Sequence, residues 1–252
     1  MGLRTRLDGR NADALRPVSI ETRVQKHPEG SVLYSCGGTK VLIAASVEDG
    51  VQEFLKGSGR GWVTAEYAMH PRANPSRQRR EGQRGNVSGR TQEIQRLVGR
   101  ALRAAVRSEK LGERTITVDC DVLDADGGTR TASITGGFVA LVMALDGLRK
   151  RGLVGKGVLR EEVAAVSVGL FEGSALLDLC YVEDRDAQVD LNLVATRSGA
   201  IVEVQGTAEG EPMTRAEHDA LLEVGLKGVA NLTQKQLAAL DAAGIDMAKL
   251  RG

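Results

Sequence analysis

Aromatic side chains are scarce in this sequence, at 3% of 252 residues. That excludes extended base stacking on aromatic platforms as the main mode of recognition. Net charge is nearly absent too, at +1, so any contact with nucleic acid has to come from local clusters of cations. Cysteine is limited to Cys36, Cys120 and Cys180, which are odd in number, far apart and set in apolar runs. This spacing fits neither a disulfide framework nor a zinc site, and suits buried thiols in a reducing compartment. His27, His70 and His218 are scattered and take no role. The N-terminus is polar and has no signal-peptide apolar region. The longest apolar run, residues 138–145, is too short to cross a bilayer. A cytoplasmic location without membrane association is expected. No G-x-x-x-x-G-K-[ST] loop and no dinucleotide fingerprint occurs.

What is present centres on residues 124–137. Before them, Ile116, Val118, Cys120 and Val122 alternate with Thr117, Asp119 and Asp121, the pattern of a half-buried strand. After them, residues 131–149 are apolar or small, with Ile134, Phe138, Leu141, Val142 and Leu145 at helical spacing. Gly127 and Gly128 therefore fall where a strand turns into a helix. Glycine lets the backbone approach a ligand closely, and the first amides of a helix lack partners within it. Thr129 adds a hydroxyl and Arg130 a two-pronged guanidinium. Together they form a candidate anion site, best suited to phosphate. The same residues also fit a plain turn, with Thr129 as a cap and Arg130 in solvent.

Elsewhere, residues 1–16 form an irregular basic lead-in containing Arg4, Arg6, Arg10 and Arg16. A short strand over 20–24 precedes a hairpin of 31–36 and 40–47 across Gly37-Gly38. Its second run is apolar on both faces and belongs in the middle of a sheet. Residues 62–69 read as a strand and 71–85 as a loop. That loop sets Arg72, Arg77, Arg79, Arg80 and Arg84 against Glu81 alone. A charge run can be merely solvated surface, but arginine without lysine favours gripping phosphates. Residues 91–110 form an amphipathic helix whose Arg96, Arg100, Arg103 and Arg107 are read as solvated or facing a partner chain. Arg90, at the helix start, can reach an anion beside the helix dipole.

In the second half, strands are expected over 163–171, 175–182, 188–196 and 201–205. Two closing helices are expected, opened by the capping boxes Thr214-x-x-Glu217 and Thr233-x-x-Gln236. Strands with a hairpin, then helices, occur twice, over 18–150 and 163–250. This predicts an α+β fold of two similar halves (about 1–150 and 160–252) within a single domain spanning 1–252. Asp184 and Asp186 fall in a turn, whereas Asp190 sits in a strand, where aspartate is disfavoured. Asp184 and Asp186 suit turn formation; carboxylates paired near a phosphate site also suit Mg²⁺, which needs only one or two.

Five blocks carry a resemblance. Residues 15–20 (LRPVSI), 88–96 (SGRTQEIQR), 127–132 (GGTRTA), 189–192 (VDLN) and 203–210 (EVQGTAEG) resemble the bacterial ribonuclease PH family. The last three are specific in combination, and the likeness runs nearly end to end. It implies a duplicated β-α-β unit, like one domain of a ribosomal small-subunit protein, with mixed sheets and helices packed on one face. It also implies phosphate-dependent 3′-to-5′ trimming of tRNA precursors and other RNA 3′ ends, releasing nucleoside diphosphates. Phosphate would be held by Arg90, Gly128, Thr129 and Arg130. Asp184 and Asp190 would hold Mg²⁺ or Mn²⁺, and the arginines of 72–84 would hold the tRNA body. The assembly implied is a homohexamer built as a trimer of dimers. Two rivals stand beside this reading: a non-catalytic RNA-binding subunit of the same fold, and a small-molecule kinase, which would need an ATP phosphate loop that is missing.

Overall fold

The structure, a computed structural model, describes residue 6 and residues 8–252, with Arg84 described by its backbone alone. Arg4 of the basic lead-in lies outside the described residues. The chain opens with β1 (Val18–Thr22), β2 (Gly30–Cys36), β3 (Thr39–Asp49) and β4 (Trp62–Met69). The helices α1 (Gly89–Ala104) and α2 (Ser108–Leu111), strand β5 (Arg114–Asp124) and helix α3 (Thr129–Lys150) follow. These strands form one mixed sheet in the order β1-β2-β3-β5-β4. Thus β3 is central, as its composition predicts, although Leu42 and Ala44 on its second face stay half-buried.

Strand β4 runs parallel to β5, from Trp62 opposite Thr115 to Met69 opposite Val122. A parallel pair needs a crossover, and α1 lies within it. The consequence is positional, because the ends of β4 and β5 finish side by side. The Ala125 amide donates to the Ala73 carbonyl at 2.9 Å. The start of the arginine loop, distant in sequence, therefore abuts the glycine turn.

The second half comprises β6 (Val163–Phe171), β7 (Ser174–Leu177), α4 (Tyr181–Asp186), β8 (Val189–Thr196), β9 (Ile201–Ala208) and α5 (Arg215–Ala242). Its sheet is antiparallel throughout, in the order β7-β6-β8-β9. Strand β6 joins the halves. Its Ala164, Val166, Val168 and Leu170 pack with Leu221, Val229 and Leu232 of α5, whereas Val163 and Ala165 join the larger cluster that contains α3. The Thr135 hydroxyl of α3 donates to the Ala165 carbonyl at 3.0 Å.

Several expectations are corrected. The strand expected over 175–182 stops at Leu177, because Asp178 turns the chain with φ 55°. Residues 181–186 then form α4, started by the Glu183 carboxylate accepting the Cys180 amide at 3.0 Å. Asp184 therefore lies on a helix, not in a turn. The two closing helices are one. The Thr214–Glu217 box does open α5. Thr233, however, lies inside the helix, donating to the Val229 carbonyl, and Gln236 is buried, donating to the carbonyls of Thr135 and Val163. The helix expected over 91–110 breaks after Ala104, where the Arg107 amide turns to the Val158 carbonyl. Three of its arginines find partners within the chain. Arg100 pairs with Glu203, Arg103 donates to the Val63 carbonyl and lies 4.2 Å over the Trp62 ring, and Arg107 donates to the Gly157 and Leu159 carbonyls. The Phe54 ring meets Trp62 edge-on at 5.5 Å. Cys180 is half-exposed, unlike the buried Cys36 and Cys120.

Helix α3 organises the core. By length and composition it could cross a membrane, which the run of 138–145 alone does not convey. Here it is the core helix. Ile134, Phe138, Leu141 and Leu145 are fully buried in one cluster with Val32, Tyr34, Val41, Ile43, Ile116 and Val118. Burying each Val, Leu, Ile or Phe side chain of this kind contributes roughly 1.5–3 kcal/mol. Helix and sheet lie so close that a Cβ on Gly136 would fall 2.5 Å from Ile43 Cδ1 and 2.9 Å from Tyr34 Cβ. Alanine's better helix propensity is worth about 1 kcal/mol, whereas overpacking a filled core costs about 1–3 kcal/mol. Gly136→Ala is therefore expected to destabilise the protein in denaturant titration. A more stable variant would show that the helix can lift from the sheet at no cost.

Candidate active site

The glycine turn is as the sequence predicts, a strand-to-helix junction, with Gly127 at φ 74° and Gly128 at φ 65°. Both values lie in the left-handed region that favours glycine. Space is equally restrictive, since a Cβ on Gly127 would fall 2.6 Å from the Leu179 carbonyl oxygen. Gly128 is the N-cap of α3, so the amides of its first turn are free of helical partners. Thr129 and Arg130 stand on that turn. The Thr129 hydroxyl lies 2.9 Å from the Tyr67 hydroxyl, which β4 delivers from the parallel strand pair.

Arg130 is only partly solvent-exposed, which the plain-turn reading did not provide for. Its Nη1 donates to Gln205 Oε1 at 2.6 Å and lies 3.7 Å from Glu93 Oε1. Gln205 Nε2 in turn donates to Glu93 at 2.7 Å. Strand β9 and helix α1 thus hold one edge of the guanidinium. Arg90 is exposed in the first turn of α1, whose N-cap Ser88 accepts the Thr91 amide at 3.2 Å.

Asp184 and Asp190 come together with these cations. Burial pushes the Asp184 carboxyl up from its ordinary value and the neighbouring Asp190 pushes it further, while Arg130 and Arg90 pull it down. Asp184 is open to solvent, so the crowding comes from the protein around it and not from enclosure. Burial also raises Asp190, against the pull of Arg130 and Arg90. Glu209 also pushes Asp190 up, and a carboxylate raised by a neighbouring carboxylate is what a divalent cation relieves. No group of three or more His, Cys, Asp or Glu that could hold a metal occurs among the described residues. The donor set is two hard oxygen ligands, which fits Mg²⁺ or Mn²⁺ completed by water and phosphate oxygens and does not fit zinc. Arg72, Arg77, Arg79 and Arg80 are exposed and form no ion pair with another described residue. The Arg84 side chain lies outside the described residues.

The residues missed in the sequence are those that hold the others. Arg6 grips Glu183 with both prongs, at 2.7 and 2.6 Å, beside Asp184. Arg16 grips Asp178 through Nε at 3.0 Å and Nη2 at 2.6 Å, and its amide donates to the same carboxylate at 2.8 Å. The lead-in is therefore no loose basic tail, because two of its arginines are buried in the second half. Only the run of arginines signals this; their partners are 162 and 177 residues away.

The two sheets, with α3 between them, give the chain a two-part architecture, and each part has its own family match. Residues 14–145 match the 3′ exoribonuclease family, domain 1, and residues 161–228 match domain 2 of that family. The chain belongs to the 3′ exoribonuclease family. Solved structures with the same fold include rice (Oryza sativa) Rrp46, at 20% identity and TM-score 0.75 over 93% of this chain and 100% of that one. A second is an Archaeoglobus fulgidus exosome with RNA bound to its active site, at 24% identity and TM-score 0.74 over 91% and 92% of the two chains. A third is an archaeal exosome core, at 22% identity and TM-score 0.72 over 92% and 91%.

The buried Asp178 carboxylate carries a pH signature. Burial pushes it up, but the hydrogen bonds and charge of Arg16 outweigh burial and hold it below the ordinary range. A depressed carboxylate stabilises the fold above its unfolded pKa, near 4, and that stability is lost as pH falls through the folded value. Asp178→Asn removes the hydrogen-bonded counter-charge of the buried Arg16, leaving only the half-exposed Asp126 at 3.8 Å, and should cost about 3 kcal/mol at pH 7. The gap between wild type and variant should begin to narrow as pH falls below about 4, where the unfolded chain takes up the proton, and close through the lower folded value, where wild type too loses the charge. Denaturant unfolding at pH 7 and pH 3 checks this; a gap independent of pH would assign the loss to packing.

Proposed function

We propose that this chain is a phosphate-dependent 3′-to-5′ exoribonuclease of the ribonuclease PH type, removing terminal nucleotides from tRNA precursors and other RNA 3′ ends. One observation carries the reading. The free amides of α3, Thr129, Arg130 and Arg90 lie near Asp184 and Asp190, and the chain carries all five of these side chains. A non-catalytic subunit has no need of the full set. A kinase would need an ATP phosphate loop, which is lacking.

Inorganic phosphate is already an anion at neutral pH, so it requires holding and partial neutralisation more than deprotonation. Arg130, Arg90, the Thr129 hydroxyl and the helix amides supply both and align phosphate with the last phosphodiester. A phosphate oxygen forms the new bond to the terminal phosphorus. The bond from that phosphorus to the 3′ oxygen of the preceding nucleotide breaks, and that oxygen takes a proton as it leaves. The product is a nucleoside diphosphate, and the exchange of one phosphoester-type linkage for another is readily reversible. Asp184 and Asp190 would hold Mg²⁺ or Mn²⁺, which supplies positive charge near the reacting phosphorus. The arginines of the 72–84 loop hold RNA phosphates beyond the reacting end. In this reading the chain acts as a single domain of two similar halves, in a cytoplasmic homohexamer built from dimers.

Shortening of 3′-extended tRNA should require added phosphate and release nucleoside diphosphates, read by chromatography. Monophosphates released in phosphate-free buffer would overturn phosphorolysis. Arg130→Ala should remove charge-assisted hydrogen bonds worth about 1.5–3 kcal/mol and raise the KM for phosphate roughly ten- to a hundredfold. Unaltered phosphate kinetics in the folded variant would leave the glycine turn as a turn only.

A further inference from the structure

The peptide planes of the glycine turn have a fixed orientation, and two residues outside the site set it. The Asp126 carbonyl accepts Arg16 Nη1 at 2.5 Å. The Gly127 carbonyl accepts the Thr39 hydroxyl at 2.7 Å and lies 3.5 Å from Arg16 Nη2. Thr39 Oγ1 also accepts the Asp126 amide at 2.9 Å, so this one hydroxyl closes both sides of the turn. In a trans peptide the carbonyl and the following N–H point in opposite directions. Drawing the carbonyls of Asp126 and Gly127 inward therefore turns the amides of Gly127 and Gly128 outward. Neither amide donates a backbone or side-chain hydrogen bond among the described residues.

The anchor itself is rigid. Thr39 is fully buried at the start of β3, and Arg16 is buried and fixed on three sides by Asp178. A Cβ on Gly128 would fall 3.2 Å from Arg16 Nη2, so the turn rests directly on the guanidinium. We infer that Thr39 and Arg16 are positioning residues for phosphate, aiming the Gly127 and Gly128 amides at the anion without touching it. The inference rests on the phosphorolytic reading above.

Thr39→Val keeps the shape of the side chain and deletes the hydroxyl; Thr39→Ser restores it. Thr39→Val should raise the KM and Kd for inorganic phosphate about tenfold, as expected for misaligned hydrogen bonds to a charged ligand. RNA affinity should stay within about twofold, since the RNA phosphates are held elsewhere. Thr39→Ser should restore phosphate affinity to near wild type. Arg16→Lys, which keeps charge but loses the fork, should show the same split between phosphate and RNA. In wild-type protein, added phosphate should shift the amide resonances of Gly127 and Gly128, a measurement that needs no variant to fold. Thr39→Val with wild-type phosphate affinity, an equal loss for phosphate and RNA, or unmoved glycine amides would overturn the anchor alone. A wild-type protein that shortens RNA without phosphate would overturn both the anchor and the reading beneath it.

Discussion

A guanidinium buried away from water is tolerated only when nearly all its donors are answered. Arg16 meets that condition with the Asp178 carboxylate, the carbonyls of the glycine turn and the Asp126 carboxylate at 3.8 Å. The arrangement ties residue 16, just ahead of the first strand, to the end of β7 and to the start of α3. Removing either charge leaves the other in a low-dielectric interior with only a more distant partner, Arg10 at 3.6 Å from Asp178 or Asp126 at 3.8 Å from Arg16, which costs more than the intact pair contributes. The pair therefore works as a constraint. It fixes the first half against the second at the glycine turn. Arg6 and Glu183 repeat the device one step further on, beneath the helix that carries Asp184.

The site consequently belongs to neither half. Gly128, Thr129, Arg130 and Arg90 come from the first, and Asp184, Asp190 and Gln205 come from the second. Strand β6 supplies the apolar seam between them, and the lead-in arginines supply the polar one. The parallel pairing of β4 with β5 adds Tyr67 and delivers the start of the arginine loop to the same edge. Belonging to the 3′ exoribonuclease family accounts for this architecture, because each half is matched by its own part of that family.

Local pattern made much of this legible. Strands β4 and β6 fall where their composition places them, and the hairpin turns at Gly37-Gly38. The geometry of the glycine turn was readable because the pattern that makes it, a strand, two glycines and a helix, is local. What failed was chemistry that depends on distant partners. Thr233-x-x-Gln236 has the form of a capping box, but Gln236 spends its amide on α3 and β6, and the helix runs through. Residues 179–182 are apolar and read as the end of a strand over 175–182, yet Glu183 answers both Arg6 and the Cys180 amide, and a helix forms. Arg130 looked free because Gln205, its partner, lies on the last strand. No local rule pairs residue 16 with residue 178.

The sole indole, Trp62, lies beneath Arg103 at the first residue of β4, with Phe54 against its edge. Tyr67, which touches Thr129, is five residues further along the same strand, about 16 Å away at the usual rise. Tryptophan emission from this protein therefore reports on the far end of the first sheet. Its optical signal follows the folding of that sheet and stays silent to an anion arriving at α3, so fold and occupancy can be followed by separate probes in one sample.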